Sequence, residues 1–293
     1  MRRGRQVAAP AKLWLVVMLN DFHVHSNESD GQLSPEQLID AAIAKGLSVI
    51  ALCDHDTTAG VARFARYGEQ RGIRALTGIE LSAQWKGGNC HLLGLSVSDG
   101  YEPLEALLRE TRRSRDRRNE LILEKLASNG VSVSVEQVRR EAGGEVVARP
   151  HIAAVLVKAG YVRSTQEAFD KYLTQGGAAY VDRYRLASGE AVKILREAGA
   201  FVALAHPRQL AVSGSALFDI AAELKNAGLQ GIEVYSPDTT DEQVAAYKEI
   251  ATALGLAQTG GSDFHVPGQG GRDLGCYRPQ TPIPPISIPQ LGI

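Results

Sequence analysis

Six of the seven histidines lie close to acidic residues in short polar motifs. DFHVH places His23 and His25 two residues apart, and SDFH gives the same spacing to Asp263 and His265. Side chains two residues apart on a strand point to the same face, so each pair can bind one ligand together. With them, a set of nine imidazole and carboxylate residues is completed by Asp30, His55, Glu80, His91 and His206.

Most of these nine residues lie at or just beyond the end of an apolar run that predicts a strand. His55 follows LSVIALC, Glu80 ends RALTGIE and His206 ends FVALAH. In barrels and open parallel sheets the carboxyl ends of the strands carry the active site, so we expect the nine side chains to converge. Without cations they would repel one another and lose their hydration. The set therefore predicts bound metal ions.

The donor types limit which metals fit. Nitrogen and oxygen ligands without thiolate suit Mn²⁺, Zn²⁺ or Fe²⁺. Nine ligands are too many for one ion and suit two or three, with a carboxylate such as Glu80 shared between neighbours. Clustered ions can hold a hydroxide and stabilise an in-line displacement at phosphorus. A lone histidine at a strand end usually has a structural role. Such a role does not explain a set of nine imidazole and carboxylate residues placed in order at successive strand ends.

The elements that must position these residues alternate along the chain. Ser34, Pro35 and Gln37 form a helix start with a capping box, and Gly46 ends that helix. A first strand is predicted around DFHVH, and the further predicted strands are 47–53, 74–80, 91–97, 201–206, 231–235 and 256–263. Further helices are predicted at 57–72, 188–200, 215–228 and 241–255. Alternating strands and helices imply parallel βαβ units, in an open sheet or a closed barrel.

Three segments depart from this alternation. Residues 103–182 have apolar residues at helical spacing and no clear strand, which predicts a helical insertion between two barrel strands. The tail, 279–290, contains five prolines and is expected to be an extended strap or frayed. Residues 1–18 form an N-terminal extension with a faint likeness to a signal peptide; Met18 is a plausible start, and export is the less favoured alternative.

The composition excludes several classes of protein. The chain has 293 residues, 44% apolar and 22% charged, which argues against a disordered, collagen-like or coiled-coil protein. A formal net charge of −1 gives no global attraction to nucleic acid or membrane, and no apolar run is long enough to span a bilayer. The three cysteines are far apart, which argues against a disulfide framework and favours a cytoplasmic location.

The motifs DFHVHSNESDG, ALCDHDT, GIELSA, HLLGL, ALAHP and GSDFH resemble, in order, those of the PHP (polymerase and histidinol phosphatase) family. The resemblance begins near residue 19 and implies an α/β fold, a distorted (β/α)7 TIM-like barrel with a metal cluster at its C-terminal face. The barrel would be discontinuous, 19–102 and 183–293, and 103–182 would be an all-helical substrate cap. The sequence is most similar to the branch of nucleoside 3′,5′-bisphosphate phosphatases and 5′→3′ exoribonucleases.

The resemblance also implies how the ligands are shared among two or three divalent ions, with Mn²⁺ favoured over Zn²⁺ or Fe²⁺. One ion would be held by His23, His25, Glu80 and Asp263. A second would be held by Glu80, His91 and His206, and a third by Asp30, His55 and His265. His206 or Asp263 could also help to move a proton in catalysis, and we treat both as candidate catalytic residues.

Candidate substrate ligands lie mainly in the helical insertion. Arg115 and Arg118 are three residues apart on one helix face and match the arginine spacing of this branch, and a guanidinium suits a terminal phosphate. The motifs RPH and KYL add Arg149, His151 and Lys171 by the same resemblance, and Arg208 follows a metal ligand closely. The other arginines of 109–120 are expected to form a solvated face with i,i+4 pairs.

Two acids beside His55 are expected to act outside the metal ligand set. Asp54 would orient a ligand imidazole, and Asp56 is as well suited to cap a helix that begins at Thr57. Cys53 and Cys90 are expected to be small buried residues.

The favoured substrate is a nucleoside 3′,5′-bisphosphate or a short 5′-phosphorylated RNA. The alternatives are a histidinol-phosphate phosphatase, a detached polymerase proofreading module and a metal-binding regulatory domain without turnover. The basic insertion argues against the first, because a small monophosphate needs no second anion pocket. No obligate protein partner is evident, although the arginine-rich helix could equally be a dimer contact.

Overall fold

The computed structural model describes residues 19–86, 88–143, 146–182, 185–268 and 272–293. The predicted N-terminal extension therefore lies outside the described residues, as do 183–184, where the second half of the barrel is expected to begin. Within the described residues, no helix is both long and apolar enough to cross a membrane.

The strands of the described residues form a nearly closed seven-strand barrel with β-strand order β1-β2-β3-β4-β6-β7-β8. They are β1 Asn20–Val24, β2 Val49–Leu52, β3 Arg74–Trp85, β4 Gly88–Leu95, β6 Phe201–Leu204, β7 Gly231–Tyr235 and β8 Ala257–Gly260. A short strand, β5 (Leu186–Ala187), pairs with β3 off this path. Val24 bridges to Phe264 just beyond β8, and His25 N donates to Phe264 O at 2.9 Å. The predicted barrel fold is confirmed.

One strand direction differs from the prediction. The pairs β1–β2, β2–β3, β6–β7 and β7–β8 are parallel, but β4 is antiparallel to both β3 and β6. Only residues 86 and 87 separate β3 from β4, and a parallel pair needs a crossover of a dozen residues or more. The parallel βαβ pairing predicted from the alternation therefore does not extend to β4. Strand β3 also runs five residues beyond the predicted end at Glu80.

Amphipathic helices cover the outside of the barrel: α1 Pro35–Ala44, α2 Val61–Arg71, α7 Ser188–Glu197, α8 Gly214–Ala227 and α9 Asp241–Leu254. The predicted capping box of α1 is present, since Ser34 Oγ accepts from Gln37 N and Ser34 N donates to the Gln37 side chain at 2.9 Å. Helix α2 begins four residues later than predicted, because residues 57–60 remain in the loop that follows His55.

The described residues of the segment between β4 and β5 contain helices and connecting loops but no strand, as predicted. It contains α3 Glu102–Ser128, α4 Val135–Ala142, α5 Arg149–Lys158 and α6 Thr165–Ala168, followed by a π-helical turn, Phe169–Leu173. Its helices bury an apolar core of their own around Ile122, Leu126 and Leu156. The division of the chain into a barrel and a cap stays a prediction.

The proline-rich tail is an extended strap. Strand β9 (Cys276–Arg278) pairs with β10 (Thr281–Pro282), and a 3₁₀ turn, Pro289–Leu291, follows. Ile288 is fully buried among side chains of the barrel interior. The side chains of Asn20 and Arg74, at the starts of β1 and β3, donate to the backbone oxygens of Ile286 in the tail and of Gly292 just after it. The tail therefore covers the amino-terminal end of the barrel and leaves the other end to the histidines.

Candidate active site

Glu80 is the centre of the group of histidines at the carboxyl end of the barrel. It is fully buried at the point of β3 where the bridge from His55 forms. Its Oε2 lies 3.3 Å from His23 Nε2, 3.3 Å from His25 Nε2 and 2.9 Å from His55 Nδ1. Its Oε1 lies 2.8 Å from His91 Nδ1 and 2.7 Å from His206 Nε2. One carboxylate thus lies among five imidazoles.

The nine predicted ligands come together in overlapping groups with metal-binding geometry. His23, His25, Glu80 and Asp263 form one group, in which the potential ligand atoms are all within 4.8 Å of one another. Asp30, His55 and His265 form another with His25, and His55, Glu80 and His91 a third. His91 Nδ1 and His206 Nε2 are also 3.3 Å apart, so Glu80 Oε1 and these two nitrogens form a compact triangle. Assignment of each residue to one ion stays a prediction.

The buried polar atoms of this cluster fit divalent cations. His23 Nε2, His25 Nε2 and Glu80 Oε2 lie close together in the interior, and none of them has a hydrogen-bond partner among the described residues. Burying such atoms without partners is costly, and a shared cation would remove that cost for all of them. The donor set contains only imidazole nitrogens and carboxylate oxygens, the chemistry expected for Mn²⁺, Zn²⁺ or Fe²⁺.

The pKa values of the cluster also indicate that its carboxylates need positive charge beside them. Burial, together with the charge of His265, lowers the pKa of His25 to about 3. Burial also disfavours a charged His265, but Asp30 and Asp263 outweigh it and raise the pKa of His265 to about 10. Burial would raise the pKa of Glu80, yet the surrounding histidines hold it well below its ordinary range. The carboxylates thus stay ionised and require protons or metal ions beside them.

The two candidate catalytic residues have strained backbones. His206 has φ of 26° and Asp263 has φ of 47°, values that residues other than glycine seldom adopt. The Asp263 side chain lies between two histidines and Arg272, whose Nη1 is 3.3 Å from Oδ2. Strain of this kind persists where the surrounding structure holds a residue firmly, which is common at active sites. The catalytic roles of the two residues stay predictions.

Asp54 is fully buried, and its carboxylate orders the loop that carries His25 and Asp30. It accepts from Ser26 N at 2.7 Å, from Ser26 Oγ at 2.6 Å and from Ser29 Oγ at 2.6 Å. Burial raises the pKa of Asp54 to about 6 in spite of these bonds. We expected Asp54 to orient an imidazole directly, but its hydrogen bonds go to the loop between two ligands.

Asp56 joins the barrel to the helical insertion and does not cap α2. Its carboxylate accepts from Ser82 N at 2.8 Å and pairs with Arg115, and both partners are buried. Its backbone carbonyl accepts from Arg112 at 3.2 Å. Helix α2 begins beyond it with Gly60 as its N-cap, so the capping alternative is wrong. Arg115 is thereby anchored next to the histidines.

A cavity of about 360 Å³ opens beside the predicted metal ligands and is rich in arginine. Its lining includes His55, His91 and His206. The arginines that line it are Arg115, Arg118, Arg149 and Arg185. Three of these were predicted to contact substrate. Arg185 was missed because it lies between the insertion and β5, in no recognised motif and on no long helix.

The remaining predicted substrate ligands lie elsewhere. His151 lines a second cavity with Asp30 and His265, and its Nδ1 accepts from Ala148 N at 3.1 Å, which leaves the proton on Nε2. Lys171 is exposed and its Nζ lies 5.0 Å from the centre of the Tyr172 ring. Arg208 is exposed on the 3₁₀ turn that follows His206. Neither Lys171 nor Arg208 lines the arginine-rich cavity, and the substrate roles of all three stay predictions.

Comparison with known proteins agrees with this geometry. The family model of the PHP domain matches residues 21–131. A 3′,5′-nucleoside bisphosphate phosphatase of Chromobacterium violaceum is 34% identical over 264 residues, covering 90% of this chain and 93% of the relative. A 5′-3′ exoribonuclease of Haemophilus influenzae is 34% identical over 247 residues, covering 84% and 90%. A crystal structure from Bifidobacterium adolescentis, described as a metal-dependent phosphoesterase, is 28% identical with a TM-score of 0.81 and covers 93% of each chain.

Proposed function

The chain belongs to the PHP family of metal-dependent phosphoesterases, and from that premise we propose that it removes a phosphoryl group from the 3′-oxygen of a 5′-phosphorylated nucleotide. The substrate is a nucleoside 3′,5′-bisphosphate, a short 5′-phosphorylated RNA, or both. Relatives with equal identity carry the names of a bisphosphate phosphatase and of an exoribonuclease. Sequence similarity therefore does not separate these two substrates.

The two substrates share one reaction. In a bisphosphate, water attacks the 3′-phosphorus and the bond to the 3′-oxygen breaks, giving a 5′-mononucleotide and inorganic phosphate. In 5′→3′ trimming of RNA the same bond breaks at the first phosphodiester, giving a 5′-mononucleotide and a shortened RNA with a new 5′-phosphate. An enzyme built for the first reaction needs only space for the rest of the RNA to perform the second.

The observation that carries the proposal is the cavity lined by arginines next to the histidine cluster. Arg115, Arg118 and Arg185 are buried, and their charges are held within reach of an anion in the cavity. A guanidinium binds phosphate oxygens well, and its binding is stronger where water is excluded. One phosphate would lie on the cluster and the other on the arginines. A monophosphate such as histidinol phosphate has no second phosphate to place on the arginines.

The metal ions that we propose are two or three Mn²⁺, with Zn²⁺ or Fe²⁺ as alternatives. His23, His25, Glu80 and Asp263 would hold one; Glu80, His91 and His206 a second; Asp30, His55 and His265 a third. When bound, such ions polarise phosphoryl oxygens and make water a stronger nucleophile at neutral pH. The arginines would offset the charge that develops on the phosphoryl oxygens, and His206 or Asp263 would move a proton to or from the reacting oxygens.

A cytoplasmic location is part of the same proposal. The three cysteines are free thiols, and two of them are buried. Free thiols are normal in a reducing compartment, where nucleotides and RNA fragments are also found.

The test is product analysis with the purified protein and Mn²⁺. We expect adenosine 3′,5′-bisphosphate to yield AMP and inorganic phosphate, with 3′-AMP hydrolysed at much lower kcat/KM because it lacks the 5′-phosphate. A 5′-phosphorylated tetranucleotide should yield mononucleotides in order from its 5′ end. Equal kcat/KM for the bisphosphate and 3′-AMP would contradict the proposal.

Two arginine variants sharpen this test. Arg185→Ala should raise KM for the bisphosphate about 10-fold to 100-fold, the usual cost of one charged hydrogen bond, and leave 3′-AMP hydrolysis unaffected. Arg113→Ala is the matched control, because Arg113 is exposed on α3 and lies 3.9 Å from Glu110. A change in KM of the same size in both variants would show that general charge, and not the cavity, selects the substrate.

A further inference from the structure

Four buried acids near the cluster lie outside the ligand set, and their contacts differ. Asp21 accepts from the backbone of Ser262 and Gly275, and Asp54 and Asp56 hold a loop and an arginine, as described above. The fourth is Glu233, in the middle of β7 and fully buried. It is the acid of the four whose side chain contacts an imidazole of the ligand set.

Glu233 contacts two ligand residues through its two oxygens. Oε1 lies 3.0 Å from His23 Nδ1, and Oε2 accepts from the backbone N–H of His206 at 2.6 Å. His23 lies on β1 and His206 follows β6, so the single carboxylate joins opposite sides of the barrel mouth. The neighbouring backbone is fitted closely to it, because a Cβ on Gly261 would lie 2.9 Å from Oε1 and 2.1 Å from the Cβ of His23.

We propose that Glu233 is a positioning residue that sets the geometry of two metal sites at once, those of His23 and of His206. The inference rests on the proposed metal-dependent function. Because Glu233 accepts a hydrogen bond from His23 Nδ1, the proton of the His23 ring stays on Nδ1. The lone pair of Nε2, which faces Glu80 and Asp263, is then available to bind a metal ion. A carboxylate behind a ligand histidine fixes its ring orientation and makes it a better ligand.

The hydrogen bond that the backbone N–H of His206 donates to Glu233 has a second effect, on the backbone conformation of His206. His206 has φ of 26°, a backbone geometry that is unfavourable unless its surroundings hold it. A charged acceptor at 2.6 Å on its N–H stabilises that geometry, and the same geometry brings His206 Nε2 to 2.7 Å from Glu80. Through His23 and His206, Glu233 therefore affects the surroundings of Glu80, the carboxylate that the two proposed metal sites share.

The substitution Glu233→Gln separates this role from simple packing. Glutamine has the same shape but only one acceptor oxygen, so it can accept from His23 or from His206 and must turn an NH₂ group toward the other. Thr259→Val is the matched control. Thr259 is fully buried, pairs with Glu233 across the β7–β8 register and differs little in volume from valine.

The experiment measures Mn²⁺ affinity and stoichiometry by titration calorimetry and elemental analysis, and the visible spectrum of the Co²⁺-loaded protein. We expect Glu233→Gln to weaken Mn²⁺ binding about 10-fold to 100-fold and to shift the Co²⁺ ligand-field bands. The metal-free protein should keep its far-ultraviolet circular dichroism. With excess metal, kcat should fall while KM for the bisphosphate stays within about twofold, because Glu233 touches no substrate group. Thr259→Val should behave as the wild type.

Unchanged Mn²⁺ affinity and an unchanged Co²⁺ spectrum in Glu233→Gln would overturn the inference, as would a wild-type protein that binds no metal. If the wild type binds metal and the variant binds it less well, but neither hydrolyses a nucleotide, the positioning role stands and the proposed substrate is wrong. An equal loss of affinity in Thr259→Val would show that packing alone sets the metal sites, and would also overturn the inference.

Discussion

The barrel mouth and the helical insertion contribute opposite charges to one site, and they hold them in different ways. At the mouth, the acids and histidines lie on the barrel strands and on the loops that follow them, and they meet around one buried carboxylate, Glu80. The arginines of the insertion that line the cavity lie along α3 and α5, Arg185 lies between the insertion and β5, and three arginines of α3 are in exposed ion pairs. The buried pair Asp56–Arg115 connects the two regions. From this difference we expect the barrel to set the geometry of the proposed metal ions, and the packing of the insertion against the barrel to set the proposed substrate choice.

The largest effect is expected from replacing Glu80, the carboxylate at the centre of the barrel mouth. Glu80→Gln removes the charge that five histidines face, so at least two metal sites should lose affinity together. We expect kcat on the bisphosphate to fall by about 10³-fold, the upper range for loss of one main electrostatic contribution. Steady-state kinetics with added Mn²⁺ and metal analysis of the purified variant are the measurements. Substantial turnover with full metal content would place the catalytic charge elsewhere.

The ion pair between Asp56 and Arg115 connects the barrel mouth to the insertion, so breaking it tests whether the two regions have separate roles. Asp56→Ala leaves the buried Arg115 without its carboxylate and removes an acceptor from Ser82 N. Loss of one partner of a buried pair typically destabilises a protein by about 3 kcal/mol or more. We expect this decrease in the free energy of unfolding in urea, and a rise in KM that exceeds the fall in kcat.

Glu102→Ala is the control for that measurement, since it breaks an exposed pair with Arg109 on the same helix. An exposed pair contributes under about 1 kcal/mol. Should both variants lose similar stability, the buried pair would not be what holds α3 on the barrel.

The contrast between the regions also explains what the sequence could predict. Most of the predicted ligands at the mouth lie at or just beyond an apolar run that indicates a strand, so motif and position agree for residues such as His55 and His206. Residue Glu233 was missed although its signal is present, a carboxylate at the centre of the buried strand GIEVY. Its role became visible only when the fold brought β1 and the end of β6 to its two oxygens.

The residues of the insertion that line the cavity were harder to predict. Helical spacing shows which residues share a face of the helix, but it does not show what that face contacts. Arg115 and Arg118 share a face and both line the cavity, yet Arg115 is also the partner of Asp56, 59 residues away in sequence. Arg185 has no such spacing at all. The antiparallel direction of β4 was not predicted, because no helix is predicted between strands 74–80 and 91–97 and the alternation gives a direction only where a helix connects two strands.

The smallest effect is expected for Lys171, whose predicted contact with substrate the geometry does not favour. Its amine is exposed beside the Tyr172 ring, outside the arginine-rich cavity, so it can act on an anionic substrate mainly through its long-range field. Lys171→Ala should then raise KM no more than about threefold at low ionic strength, and the difference should vanish in about 0.5 M salt, where the screening length falls below 5 Å. Lys225→Ala is the control, because Lys225 lies on α8 and donates to Gly255 O on the outside of the barrel. A rise in KM that persists at high salt for Lys171→Ala alone would mean direct contact with a phosphate, and would extend the anion site from the cavity along the insertion to the π-helical turn.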